Sequence, residues 1–304
     1  MTSILSLVLA ASFAVFGFQT TTSPPITIGT PTPPAPTQTP TQSDIKNRQL
    51  AGTRDSIDVI NARVNMMLRQ RYVDPLYRKP TDEELKAVAV DQAIRTRFAD
   101  VLAMPKAGIF KLIPDRGCAE SLSVVSASDD CSKFNFPGAG NAFSFRTNNY
   151  RPRSLADLTF RSDGFFVPGE MVNGMMVDLG DVPVGSVDKT ANGLDYLANF
   201  QPATDRQSFE TKSATLKRGV VSGQFRYASS AKLAIDRTYA IRSIAYRGEI
   251  IKTIQGATYN ELDFDKRRDV IVVFRPVAID PDGAVTIVWH EIRNIEAPKI
   301  KREK

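Results

Sequence analysis

The sequence predicts an α+β protein, because the spacing of its apolar residues differs between two regions of the chain. Between residues 44 and 105, apolar side chains recur every three or four positions, which is the spacing of one face of an α-helix. From about Phe143 the spacing changes to two, which is typical of β-strands. A helical region followed by strands joined as hairpins favours a mainly antiparallel β region, built as a sandwich or a partly closed barrel.

The first 43 residues differ from the rest of the chain because they contain no Asp, Glu, Lys or Arg. Residues 4–18 are an apolar run with small residues at Ala14 and Gly17, a pattern that predicts a secretory signal peptide over residues 1–18. A retained membrane anchor is the alternative, but a membrane span needs about eighteen or more apolar residues. We therefore expect an exported protein, periplasmic, at the cell surface or secreted, with no transmembrane span in the mature chain.

Residues 19–43 contain seven prolines and nine threonines among twenty-five residues. This segment lacks the large apolar side chains whose burial would offset the entropy lost on ordering. Its prolines favour the extended polyproline II conformation. The composition predicts a disordered, semi-rigid spacer.

The helical region, residues 44–105, is predicted to form a hairpin of two amphipathic helices. The apolar face of the first helix includes Ile57 and Val64, and we expect this face to be buried. The second helix begins at a clear signal, because Thr81 can cap its first turn and Glu84 can complete a capping box.

The remaining residues, 106–304, are predicted to be rich in antiparallel strands. Asp163-Gly164 and Asp280-Pro281-Asp282-Gly283 are turn sequences between apolar runs, and the first predicts a two-residue hairpin turn. The strand around residues 239–246 contains a slip in its alternation at Ser243, which predicts a β-bulge. Residues 185–217 are mostly polar, with one helical turn predicted around residues 194–200. The helical and β-rich regions form either separate units or one domain of residues 44–304.

The two cysteines, Cys118 and Cys131, lie in a loop rich in Ser and Asp. In an oxidising compartment we expect them to form one structural disulfide. A catalytic redox pair is less favoured, because such pairs prefer the Cys-x-x-Cys spacing. Two cysteines and one histidine also exclude a four-thiolate zinc site and a His-rich site, and we predict no metal site.

Sequence signatures of catalysis are mostly absent. The chain has no Gly-Lys pair, so it lacks a Walker A phosphate loop, and no cofactor is expected. Ser229-Ser230-Ala231-Lys232 matches the Ser-x-x-Lys pattern of serine acyltransferases, but the companion motifs of those enzymes are missing. A histidine-dependent triad would have to use His290. Ser229, Lys232 and His290 are therefore weak catalytic candidates.

The chain has a net charge of +6, so basic residues outnumber acidic ones and could form a basic surface. Arg146, Arg151 and Arg153 lie close to Tyr150 in the sequence, and guanidinium groups bind phosphate and carboxylate groups well. We predict that these four residues form a face that binds an anionic cell-surface polymer rather than a specific nucleic acid. The alternative is a basic surface that only contacts solvent.

Taken together, these patterns favour a non-catalytic binding module of the cell envelope or the extracellular space, with its ligand unidentified. Two other classes stay open. One is a secreted hydrolase whose active site matches no short motif, and the other is a structural surface protein that assembles through its sheet edges.

Overall fold

The structure is a computed structural model that describes residues 41–115, 133–161 and 164–300. The predicted signal peptide, nearly all of the predicted spacer and both cysteines lie outside the described residues. The chain divides into two compact units, one ending at Asp55 and the other beginning at Ser56. In the first unit, the described residues are Thr41 and the beginning of the first helix. All elements after that helix belong to the second unit.

The N-terminal part is helical, but the predicted helical hairpin is not confirmed. The helices are α1 Gln42–Tyr72, α2 Asp74–Tyr77, α3 Asp82–Lys86, α4 Gln92–Arg97 and α5 Ala99–Leu102. Thr81 and Glu84 form the predicted capping box at the start of α3. The second predicted helix is nevertheless divided, because the Asp91 side chain accepts a hydrogen bond from the Ala93 amide at 2.7 Å and caps a new helix.

The apolar face of α1 is not buried, in contrast to the expectation from its amphipathic spacing. Ile57, Ile60 and Val64 are 51%, 59% and 49% exposed, and no residue of α1 is buried. Amphipathic spacing predicts which side chains share one face of a helix, but it does not show what covers that face.

The largest sheet, here called the main sheet, has five antiparallel strands. It contains β1 Ala107–Leu112, β6 Val172–Gly180, β10 Thr238–Ala245, β13 Arg268–Ile279 and β14 Val285–Glu296, in the order β1-β14-β13-β10-β6. β13 and β14 form the predicted hairpin, and Gly283 in its turn has a φ of 84° and donates a hydrogen bond to the Asp280 carbonyl at 2.9 Å.

A second five-stranded sheet has the order β3-β2-β4-β5-β9. Its strands are β2 Ala142–Ser144, β3 Asn149–Tyr150, β4 Leu158–Arg161, β5 Gly164–Phe166 and β9 Ser230–Lys232. Arg161 pairs with Gly164, which confirms the predicted pairing of β4 with β5, while the turn at residues 162–163 lies outside the described residues. Two smaller antiparallel pairs are β7 Val220–Ser222 with β8 Phe225–Tyr227, and β11 Ile251–Ile254 with β12 Ala257–Asn260. Within the described ranges, no sheet closes into a barrel.

The main sheet is covered on both faces. On one face its side chains share a core cluster with the second sheet, and the rings of Phe110 and Phe143 stack at 3.7 Å between centroids. On the other face a second cluster joins the main sheet to Leu197 and Leu216. All eight residues of β10 are therefore buried, so polar and apolar residues need not alternate there. The register shift in β10 lies between Thr238 and Tyr239, not at the predicted Ser243.

Two helices follow β6, and only the first of them was predicted. It is α6 Asp195–Asn199, and the second is α7 Arg206–Arg218. α7 starts at a capping box between Asp205 and Ser208.

Candidate functional site

Arg146, the first predicted binding residue, lies inside the protein. Its side chain is fully buried and makes ion pairs with Asp157 at 3.4 Å and with Asp265 at 3.1 Å. One of its terminal nitrogens also donates to the Leu155 carbonyl at 2.8 Å. A buried cation must be compensated in this way, so these contacts explain why a chain segment with several arginines enters the core.

The other three predicted binding residues also have protein partners. Tyr150 is buried and donates its hydroxyl hydrogen bond to the Lys111 carbonyl at 2.5 Å. Arg151 donates to the carbonyl oxygens of Tyr77 and Phe264, and Arg153 pairs with Asp115. Because Arg146 and Tyr150 are buried, the four residues do not form the exposed basic face that the sequence suggested.

His290 is buried in β14, and its side chain contacts the backbone of the segment after β6. Its Nε2 lies 2.8 Å from the Val184 carbonyl oxygen, so this nitrogen carries a hydrogen and donates it. Burial lowers the pKa of His290 because it disfavours the charged imidazolium. The contact joins β14 to the 3₁₀ turn Val184–Ser186, which is a structural use of this side chain.

Ser229 immediately precedes β9 and Lys232 is the last residue of that strand; of the two, only Ser229 lines one of the cavities described below. Lys232 is an exposed residue of β9 that pairs with Gly164. The Ser-x-x-Lys pattern therefore lies along the terminal strand of the second sheet.

Asp178, Asp181 and Asp280 carry carboxylates of the kind that calcium prefers, but each is paired with a basic side chain. Arg237 contacts both oxygens of Asp178, at 3.1 and 3.0 Å, and Arg275 contacts Asp181 at 2.7 Å. Lys111 contacts Asp280 at 2.5 Å. Among the described residues, no three His, Cys, Asp or Glu side chains form a group that could hold a metal ion.

A cavity of about 500 Å³, here called the smaller cavity, opens between α7 and the start of β6. Glycines and apolar residues form most of its wall, and its polar lining is Asn173, Glu210, Ser213, Lys217 and Ser229. Asn173 is held in place, because its amide donates to Ser213 at 2.7 Å and its oxygen accepts from the Tyr246 hydroxyl at 2.8 Å. The cavity wall thus contains a fixed polar side chain, Asn173, and an exposed lysine, Lys217.

The larger cavity, of about 1480 Å³, shares Met171 and Phe209 with the smaller one. The remaining residues of its lining come from the segment before β6, the start of α7, the segment after β10 and residues 299–300. They are Glu170, Arg206, Arg247, Gly248, Glu249, Ile250, Lys299 and Ile300. Because two lining residues are common to both, the two cavities adjoin.

Ion pairs engage several of the charged groups around these cavities, but not all. Arg206 pairs with Glu210, and Arg247 pairs with Glu296. Lys217 and Lys299 are exposed, and neither side chain has a hydrogen-bond or ion-pair partner within the described part of the chain. Each cavity thus contributes one ammonium group that is available to a ligand.

A third cavity, of about 500 Å³, lies between α5 and the turn at residues 184–186. Arg97 and Arg275 line it, and both contact Asp236, at 3.8 and 3.5 Å. Its basic groups are therefore already engaged, and we place the candidate site in the two adjoining cavities.

A cluster of charged and phenolic groups next to the larger cavity was not found from the sequence. The Tyr77 hydroxyl and the Ser154 hydroxyl each donate to Glu261 at 2.7 Å, and Lys252 bridges Glu261 and Glu170 at 2.5 and 2.8 Å. Burial, followed by hydrogen bonds to Tyr259 and Glu261, raises the pKa of Tyr77. The five residues that donate or accept here are far apart in the sequence, so no local motif marks them.

No family model matches the chain, and neither a curated protein nor a solved structure is significantly similar to it. Within the described part of the chain, no helix is both long and apolar enough to span a membrane. The site is therefore interpreted from its own geometry and charge.

Proposed function

We propose that this protein is an exported, non-catalytic binding module that holds an anionic polymer in its two adjoining cavities. The observation that carries the proposal is the presence of Lys217 and Lys299 in cavities that share Met171 and Phe209. Export is supported by the signal peptide that residues 1–18 predict. Exported proteins meet acidic polymers of the cell envelope, and Lys217 and Lys299 are the lining groups that could bind the anionic groups of such a polymer.

The chemistry of the two cavities favours an elongated ligand over a compact one. Two ammonium groups in neighbouring cavities can contact two separate anionic groups of one chain, while Met171 and Phe209 between them offer apolar contact. Asn173 and Ser213 are engaged with each other, so they shape the smaller cavity more than they supply free donors. An acidic polysaccharide has these properties, because it combines regularly spaced carboxylates with the apolar faces of its sugar rings.

The test is binding of polygalacturonate to the full protein, measured by calorimetry, with neutral dextran as the comparison ligand. Replacing both cavity lysines (Lys217→Gln and Lys299→Gln) should weaken binding by roughly tenfold or more, because hydrogen bonds to charged groups contribute about 1.5–3 kcal/mol each. Binding by the unchanged protein should also weaken between roughly 50 and 200 mM salt as the charges are screened.

The matched control removes the same charge elsewhere. Lys79 and Lys189 are exposed and do not line either cavity, so the double variant Lys79→Gln/Lys189→Gln should bind almost as the unchanged protein does. Equal weakening in both double variants would mean that net charge alone attracts the polymer. Absence of binding at low salt would contradict the proposal.

Hydrolysis is the second candidate, and one observation favours it: Ser229 lies in the wall of the smaller cavity together with Lys217. A serine nucleophile would react covalently with a fluorophosphonate probe, and the reaction would be lost in Ser229→Ala. We expect no labelling of Ser229, because its alcohol has no described base as a hydrogen-bond partner. Labelling that depends on Ser229 would indicate that the protein is a hydrolase and not a binding module.

A further inference from the structure

The residues that follow β14 bring Lys299 next to the segment that follows β10. The Arg247 amide donates to the Pro298 carbonyl at 2.8 Å, and the Ile300 amide donates to the Arg247 carbonyl at 3.4 Å. These two bonds form an isolated parallel β-bridge between Arg247 and Lys299. Residues paired in this way lie on neighbouring strands about 4.8 Å apart, and their side chains share one face. Arg247 and Lys299 are therefore direct neighbours, and both line the larger cavity.

Apolar packing fixes the position of this bridge. Ile300 packs against a core cluster that includes the buried Tyr246, and Phe209, which lines both cavities, packs against the same cluster. The rings of Phe209 and Tyr246 meet edge to face, with 5.5 Å between their centroids. The backbone that carries Lys299 is thus attached to the same buried residues as the aromatic side chain that the two cavities share.

The guanidinium group of Arg247 keeps most of its capacity to bind an anion. Within the described part of the chain, its one side-chain partner is Glu296, which contacts Nη1 at 2.5 Å. The two side chains are 50% and 70% exposed, and exposed ion pairs of this kind contribute little to stability because both groups are well solvated. A carboxylate from a ligand can therefore take the place of Glu296 at small cost.

Basic groups outnumber acidic ones in the lining of the larger cavity. The acidic residues are Glu170, which pairs with Lys252 at 2.8 Å, and Glu249. The basic residues are Arg206, Arg247 and Lys299. Arg206 pairs with Glu210, so the bridge carries the cations of this lining that are most available to an anion.

We propose that Arg247 and Lys299 together hold one carboxylate of the anionic polymer, while Lys217 contacts a separate carboxylate in the smaller cavity. This inference rests on the proposed function and adds Arg247 to it as a specificity-determining residue. A guanidinium group presents two parallel N–H donors that match the two oxygens of a carboxylate, and the neighbouring ammonium group supplies a second positive charge. Glu296 binds the same guanidinium group, so it competes with the polymer.

The test is a double-mutant cycle on the full protein, with polygalacturonate binding measured by calorimetry. Arg247→Gln should weaken binding about fivefold or more, and Arg247→Lys should weaken it less, because the charge is kept while the paired donors are lost. The double variant Arg247→Gln/Lys299→Gln should bind at least about threefold more tightly than the product of the two single factors predicts, since both side chains hold the same carboxylate. The factors of Arg247→Gln and Lys217→Gln should multiply, because these residues contact different carboxylates.

A second measurement removes the internal competitor. Glu296→Gln should strengthen polygalacturonate binding about two- to fivefold, which corresponds to the strength of an exposed ion pair. This gain should disappear when Arg247→Gln is also present. The control is Glu83→Gln, because Glu83 is an exposed carboxylate that pairs with Lys86 and lines neither cavity. Its removal should change binding much less.

Arg237→Gln is the matched control for Arg247→Gln, because Arg237 is 45% exposed, pairs with one carboxylate and lines neither cavity. Equal weakening by these two variants would mean that net charge, and not a paired subsite, attracts the polymer. Factors that multiply for Arg247 and Lys299 would overturn the paired subsite and leave the binding function in place, whereas absence of polymer binding would overturn both. The bridge uses only backbone atoms, so circular dichroism should show the same fold in each variant. If Arg247→Gln nevertheless destabilises the protein, unchanged binding in Glu296→Gln would overturn the proposal by itself.

Discussion

His290 is the single histidine of the chain, so its titration can be separated from that of other side chains. Burial lowers its pKa in the folded protein below the ordinary value of 6.5. Below about pH 6.5 the unfolded chain binds a proton at this residue that the folded protein does not bind. The stability that the neutral, buried imidazole provides is therefore complete above pH 6.5 and is lost as the pH falls toward the folded-state pKa.

The measurement is the free energy of unfolding in urea between about pH 5 and pH 7.5. We expect it to rise with pH more steeply in the unchanged protein than in His290→Gln, because the amide does not titrate but can still donate to Val184. Carboxyl groups titrate mainly below this range and affect both proteins alike. Identical slopes would show that His290 is equally protonated in both states.

Single residues also show why the sequence could not reveal that Arg146 and Tyr150 are buried. The sequence of residues 146–153 does not show whether its guanidinium groups face solvent or enter the core. The deciding partners, Asp157 and Asp265, lie 11 and 119 positions from Arg146 in the sequence, and only the fold brings them within ion-pair distance. Lys217 and Lys299, on which the proposed binding depends, give no local signal either, since only the cavities around them distinguish them from other exposed lysines.

At the scale of elements, α7 forms one wall of the smaller cavity, and its first turn depends on the Asp205–Ser208 capping box. Asp205→Ala should remove the acceptor for the Ser208 amide, which now lies at 2.7 Å, and allow the start of α7 to fray. We expect a small decrease in the thermal midpoint together with weaker binding of polygalacturonate.

The matched control is Thr81→Ala, which removes the equivalent capping box of α3. Because α3 lines neither of the two adjoining cavities, this variant should lower the thermal midpoint without changing polymer binding. Weaker binding in both variants would mean that general destabilisation, and not the position of α7, affects the ligand.

Elements with a strong local signal could be predicted from the sequence. The capping box at Thr81 and the hairpin around residues 280–283 depend on residues close together in the chain, and both are confirmed. α7 was missed because its sequence is mostly polar and only Leu216 is buried, so it lacks a continuous apolar face. The bulge in β10 was predicted at the wrong residue because both faces of that strand are buried. In such a strand, the alternation of polar and apolar residues does not indicate the backbone geometry.

At the scale of the whole molecule, the main sheet forms the central layer of the second unit, and both faces contribute to its core. Two layers packed on one sheet stabilise it through burial of apolar surface, and the candidate cavities lie beside this core, at α7 and the start of β6. We therefore expect that the proposed ligand binding can be altered at Lys217 and Lys299 without disturbing the buried residues of the sheet.

The proposal of export makes a prediction about the entire chain. In material recovered from outside the cytoplasm, intact mass should correspond to a first residue between Val15 and Gln19, because signal peptidases cleave after small residues such as Ala14 and Gly17. In the same material, alkylation without reductant should leave Cys118 and Cys131 unmodified, and a non-reduced digest should contain one linked peptide pair. Protein retained in the cytoplasm serves as the control, since its thiols should react after the same treatment. Full-length chain outside the cytoplasm would instead indicate a retained anchor. Two reactive thiols in processed protein would contradict the predicted disulfide.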